Sequence, residues 1–64
     1  MGDDARLAAY DGFAAEIRDE LAQVSARMEA LRVENRVKTA TYRQLFARRV
    51  TLKEIDRRLA ERGL

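Results

Sequence analysis

The side chains that could take part in chemistry in this chain are almost all charged. Its 64 residues include 13 Lys and Arg and 11 Asp and Glu, but neither His nor Cys. The only serine, Ser25, therefore has no histidine or cysteine to act with in a nucleophilic site. Carboxylates such as Glu16 and Glu20 could work as an acid and base pair, but Arg18 lies between them, as is typical of surface ion pairs. We therefore predict that the protein is not an enzyme.

The sequence gives no indication of a metal, a cofactor or a membrane. His and Cys, the commonest metal ligands, are missing, and the acidic residues are too scattered for a calcium loop. No glycine-rich phosphate loop is present, so we expect no cofactor and no small-molecule substrate. Because no long apolar stretch occurs, we also expect a soluble, cytoplasmic protein without a membrane partner.

Composition predicts a single all-α domain over residues 1–64. Proline is absent, only three residues are glycine, and Ala, Leu, Arg and Glu, all strong helix formers, are abundant. Eleven of the hydrophobic residues are alanine, which leaves few large side chains for a core. A chain below roughly 70–80 residues seldom builds a sufficient core alone, so we expect other copies of the chain to complete it.

Spacing predicts one long helix over residues 4–37. Apolar residues recur at alternating steps of three and four from Leu7 to Leu31, as the a and d positions of four heptads. A second, alanine-rich stripe runs along the opposite side from Ala8 to Ala40, so the helix is apolar on two faces. We expect a helix of the same chain on one face and other copies on the other. The alternative is that alanine only raises helix propensity on a side that stays exposed. The predicted interface between chains consists of Leu7, Tyr10, Ile17, Leu21, Val24, Met28 and Leu31.

Capping signals predict one or two short helices that fold back on the long one as a helical hairpin. Thr51 and Glu54 form a capping box for a helix over 52–62, with Gly63 as its C-terminal signal. Thr41 begins a similar box for a helix over 42–49. We expect the chain to reverse near 36–41, where Asn35 serves either as a C-cap or as a register-fixing a residue; an unbroken rod to residue 49 is the alternative.

Charge is divided along the chain, because acids dominate residues 1–34 and bases dominate residues 35–64. The basic half could fold back on the acidic half or bind a polyanion. The stretch from Ala47 to Ile55 resembles a DNA-binding helix-turn-helix, which would imply a nucleic-acid partner. The residues for such contacts would be Arg43, Arg48, Arg49, Lys53, Arg57 and Arg58.

These features favour a non-enzymatic, homo-oligomeric helical bundle that serves protein–protein assembly. The alternative is a small nucleic-acid-binding regulator that dimerises through the long helix and presents its basic C-terminal half.

Overall fold

The protein is a hairpin of two antiparallel helices. The computed structural model describes residues 2–64, with α1 over Gly2–Val33 and α2 over Ala40–Glu61. The hairpin measures 51 × 16 × 15 Å. Its longest dimension is close to the length of α1, because a helix of 32 residues spans roughly 48 Å. The predicted all-α hairpin is confirmed, and the alternative of an unbroken rod is wrong.

The first helix ends at Val33, four residues before the predicted position 37, and a residue with a left-handed backbone follows it. Asn35 has φ 59°, and its backbone N–H donates to the carbonyl of Arg32 at 3.0 Å. The N–H of Arg36 donates to the carbonyl of Leu31 at 2.8 Å. These two bonds form a Schellman motif, in which Asn is the usual substitute for Gly. Of the two roles considered for Asn35, the structure shows the C-cap.

The left-handed backbone of Asn35 predicts how substitutions at this position change the stability of the protein. Asn35→Ala should lower the free energy of unfolding by about 1 kcal/mol, because a Cβ without a local hydrogen-bonding group is disfavoured at positive φ. Asn35→Gly should be neutral or slightly stabilising, since glycine adopts this conformation without strain. Urea unfolding of the two variants measures the difference. Equal stability of the two variants would contradict this account of the turn.

The second helix begins earlier than predicted, because Thr39 rather than Thr41 is its N-cap. The Thr39 hydroxyl accepts a hydrogen bond from the N–H of Tyr42 at 3.2 Å and donates to the carbonyl of Arg36 at 2.8 Å. At the other end, Gly63 has φ 82° and donates to Ala60, and a second Schellman motif closes the helix. The predicted role of Gly63 as a stop signal is therefore confirmed.

The predicted break between helices 42–49 and 52–62 is wrong, since Ala40–Glu61 is one helix. The capping box at Thr51 is not used, because its hydroxyl donates instead to the carbonyl of Ala47, one turn back. Neither Gly nor Pro occurs within Ala40–Glu61, and Leu45, Leu52 and Leu59 recur every seven residues on the buried side. Packing against α1 therefore favours a continuous helix over a local capping signal.

A single layer of side chains between the two helices forms the core. The predicted seam of α1 faces α2 from Ala14 onwards, and α2 contributes its three leucines. Partly buried apolar residues extend this layer toward both ends. The buried residues are Ala14, Ile17, Val24, Met28, Leu45, Leu52 and Leu59.

Candidate assembly site

The two helices differ in length by ten residues, so one end of α1 has no partner helix. The ion pair from Arg18 to Asp56, 2.8 Å long, shows which parts of the two helices lie side by side. Because α2 ends only five residues after Asp56, it reaches no further than about residue 13 of α1. Residues 2–13 are all exposed, in agreement with this alignment. We call residues 2–13 the overhang.

The overhang and the end of α2 line an open apolar groove of about 540 Å³. We call it the end groove, and its apolar lining consists of Leu7, Tyr10, Phe13, Leu59 and Leu64. Leu7 is 54% exposed and Tyr10 52% exposed, whereas the next seam residue, Ala14, is buried. The seam therefore continues in sequence past the point where its intramolecular partner stops. Apolar side chains of this size are normally covered when they cluster.

The predicted interface residues are divided by this alignment into two sets. Ile17, Val24 and Met28 are buried against α2 of the same chain, and Leu21 and Leu31 are partly buried there. Their assignment to an interface between chains is therefore corrected, since the chain covers them itself. Leu7 and Tyr10 alone remain exposed and available to another molecule.

Three apolar residues of the end groove were not predicted as interface residues, and neither was Arg62, which also lines it. Phe13 lies beside the seam rather than on it, and Leu59 and Leu64 belong to the C-terminal segment. Leu64 packs on the core because the Schellman motif turns it back over α2, where its N–H donates to Leu59. The position of Gly63 was a sequence signal for this turn.

The alanine-rich face of α1 carries no partner helix. Ala15, Ala22, Ala26 and Ala30 are exposed, because α2 packs on the opposite side. A stripe of small side chains offers little apolar area, so the groove at the end of the hairpin is the stronger candidate for assembly.

The six predicted nucleic-acid contacts do not form one free basic surface. Arg48 pairs with Glu20 of α1, and both Arg57 and Arg58 pair with Glu54. The helix-turn-helix that would have presented them is absent, because α2 runs unbroken through the expected turn. Arg43 and Lys53 are exposed and have no ion pair within residues 2–64.

Arg49 is the exception among these bases, since it is half-buried against the core side of α2. Its Nε atom is buried without a hydrogen-bond partner in the described part of the chain. An unsatisfied polar atom of this kind costs stability rather than supplying a free contact for phosphate.

Electrostatic pairing is strongest around Glu54 on the exposed side of α2. Its carboxylate accepts hydrogen bonds from Arg57 at 2.6 Å and from Arg58 at 3.2 Å. The bonds from Arg57 and then Arg58 lower the pKa of Glu54 from 4.5 to about 2. Arg57 also pairs with Glu61, so the acids and bases of this segment neutralise one another.

The lowered pKa of Glu54 predicts how these pairs respond to pH. The pairs that Glu54 forms with Arg57 and Arg58 should make their full contribution to helix stability above pH 4.5. That contribution should be lost as the pH falls through about 2 and Glu54 takes up a proton. In an NMR titration the Glu54 carboxyl should titrate near 2, and Arg57→Ala should raise that midpoint toward the ordinary glutamate value. A midpoint that stays unchanged in the Arg57→Ala variant would contradict this assignment.

Neither a metal site nor a membrane span is evident within residues 2–64. No three His, Cys, Asp or Glu side chains there lie close enough to hold a metal ion together. The helices of this part of the chain also lack an apolar stretch of the length needed to cross a bilayer.

The chain matches no protein-family model, no curated protein and no solved structure.

Proposed function

We propose that the protein is a non-enzymatic helical module that assembles with itself and serves protein–protein assembly. The observation that carries the proposal is the end groove, where Leu7, Tyr10 and Phe13 are left uncovered because α1 outruns α2. The chain is also small, and a hairpin of two helices has only the single layer of side chains between them as its core. Covering the end groove extends that core and adds stability by mass action.

A charge placed in the end groove should prevent assembly without unfolding the hairpin. Leu7→Asp should raise the dissociation constant at least about tenfold, because association would then have to remove a carboxylate from water in place of an apolar side chain. Helix content should be kept, since Leu7 is exposed and lies outside the buried core. Sedimentation equilibrium gives the dissociation constant, and circular dichroism gives the helix content.

Val33→Asp is the matched control for this experiment. Val33 is also an exposed aliphatic residue of α1, but it lies at the far end of the helix, away from the end groove. The same aspartate there should leave the dissociation constant unchanged. Equal weakening by the two substitutions would show that charge in general, and not the end groove, opposes association.

The nucleic-acid alternative has less support from the contacts of the basic residues. Three of its six proposed contacts are ion-paired with acids of the same chain, and a fourth is half-buried. A filter-binding titration with duplex DNA at two salt concentrations separates the two functions. Phosphate binding would weaken steeply with salt, whereas an assembly module should show no such binding.

A further inference from the structure

We propose that the outer side of α2 binds the surface of an anionic membrane. Exposed residues that recur at steps of three and four along this helix, and so share one side of it, carry the proposal. We call them the outer face, and they are Arg43, Phe46, Val50 and Lys53. None of them lines the end groove, so this inference does not depend on self-assembly.

Packing against α1 leaves the outer face in solvent, because the leucines of the core lie on the other side of α2. Phe46 and Val50 are one turn apart, and each is 54% exposed. Arg43 and Lys53 lie one turn beyond them, and neither has an ion pair within the described residues. The outer face is thus a short apolar strip with an unpaired base at each end.

Folding concentrates positive charge in the half of the hairpin nearer the turn. Residues 20–54 contain eight bases and four acids, whereas the other described residues contain five bases and seven acids. All four acids of this half are ion-paired within the chain, namely Glu20, Glu29, Glu34 and Glu54. Five of its bases have no ion pair within residues 2–64, namely Arg27, Lys38, Arg43, Arg49 and Lys53. This half of the hairpin therefore attracts an anionic partner.

The apolar part of the outer face is too small for a specific protein partner. Phe46 and Val50, each about half exposed, offer together less than about 200 Å². Specific protein interfaces bury about 1,000 Å² or more. Binding to a bilayer has no such lower limit, because each inserted apolar group and each base near the surface adds its own contribution.

The apolar pair also favours lipid over nucleic acid as the anionic partner. A phosphate backbone offers no apolar surface to Phe46 and Val50, whereas the acyl chains of a bilayer begin just below its headgroups. In helices that lie on membranes, apolar side chains enter this boundary while Lys and Arg on the flanks contact the headgroups. The outer face has both kinds of residue on one side of one helix.

This contact keeps the acidic end of the hairpin away from the bilayer. With the outer face against lipid, α1 lies on the far side of α2, so Asp3 and Asp11 of the overhang are not pressed against lipid phosphates. The expectation of no membrane partner depended on the lack of a long apolar stretch, which a contact at the bilayer surface does not require.

Sedimentation with vesicles tests the proposal on the intact protein. The protein should bind vesicles of phosphatidylcholine with about one third phosphatidylserine at least about tenfold more tightly than vesicles of phosphatidylcholine alone. Salt at about 0.5 M should remove most of this difference, because it screens exposed charges. Equal binding to the two kinds of vesicle, or binding to neither, would overturn the proposal. Binding to duplex DNA without binding to the anionic vesicles would assign the unpaired bases to nucleic acid and would also overturn it.

Tryptophan fluorescence tests whether the outer face itself enters the lipid, because the chain has no tryptophan of its own. The emission of Phe46→Trp should shift to shorter wavelength when the anionic vesicles are added. Ala15→Trp is the control, since Ala15 is exposed on the side of α1 away from α2, and its emission should not shift. Vesicle binding without a shift of Phe46→Trp, or with an equal shift of Ala15→Trp, would show that another face meets the lipid.

Removal of single charges measures what the two bases of the outer face contribute. Arg43→Gln and Lys53→Gln should each weaken binding to the anionic vesicles about fivefold. Arg6→Gln removes the same charge from the overhang, at the other end of the hairpin, and should change binding less than about twofold. Glutamine is a good helix former, so all three variants should keep their helix content. Equal weakening by the three substitutions would show that net charge alone, and not the outer face, determines binding.

Discussion

Leu52→Ala is expected to lower the free energy of unfolding by about 3 kcal/mol, the largest effect of any truncation in the chain. Leu52 is 1% exposed and lies at the middle of α2, where Leu45 and Leu59 flank it one heptad away on each side. Truncation removes the transfer free energy of the leucine side chain and leaves a cavity that two packed helices close only in part.

Val50→Ala is the matched control for Leu52→Ala, because Val50 lies two residues away in the same helix and is 54% exposed. Its truncation should change stability by less than about 0.5 kcal/mol. Urea unfolding followed by circular dichroism measures both variants. Similar losses in the two variants would mean that the seam of leucines does not hold α2 against α1.

A carboxylate at position 14 should have a comparable effect at the other edge of the core. Ala14 is 1% exposed beside Leu59, so Ala14→Asp would bury an unpaired charge at a cost of about 3 kcal/mol or more. Ala15 is exposed on the opposite side of the helix. Ala15→Asp should cost only the lower helix propensity of aspartate, about 0.5 kcal/mol.

The comparison of positions 14 and 15 tests which face of α1 packs on α2. Both variants replace alanine by aspartate in the same helix, so they differ only in the face that carries the charge. Thermal unfolding at one protein concentration gives both values. A smaller loss for Ala14→Asp than for Ala15→Asp would place α2 on the alanine-rich face and contradict the hairpin described here.

Patterns that extend over several turns predicted the hairpin well. The spacing of three and four residues identified a buried face of α1, because burial along a helix repeats with the helical period. It was assigned to contacts with other copies of the chain, whereas from Ala14 onwards the structure packs α2 against it. Asn35 and Gly63 marked the ends of the two helices, since both adopt a backbone conformation that few residues tolerate.

Signals confined to one turn were less informative. The capping box at Thr41 is unused because Thr39 is the N-cap of α2. The box at Thr51 is unused because a continuous helix lets Leu45, Leu52 and Leu59 pack together on α1. Tertiary packing outweighs a cap worth about 1 kcal/mol. A capping signal therefore indicates where a helix can begin, but it does not show whether ending the preceding helix there lowers the free energy of the fold.

Which part of the seam α2 covers and which part it leaves exposed could not be predicted from spacing. The same pattern runs from Leu7 to Leu31, and only the length of α2 decides which residues it covers. Once α2 is known to end at Glu61, the uncovered part follows from the helical rise of about 1.5 Å per residue. Two residues of the predicted interface, Leu7 and Tyr10, therefore line the end groove.

The mass of the intact protein in solution tests most directly whether a second copy covers the end groove. One chain has a mass of 7.4 kDa. Sedimentation equilibrium from low micromolar to millimolar concentration should show the average mass rising with concentration to at least twice that value. A mass that stays at one chain throughout this range, with full helix content, would contradict self-assembly.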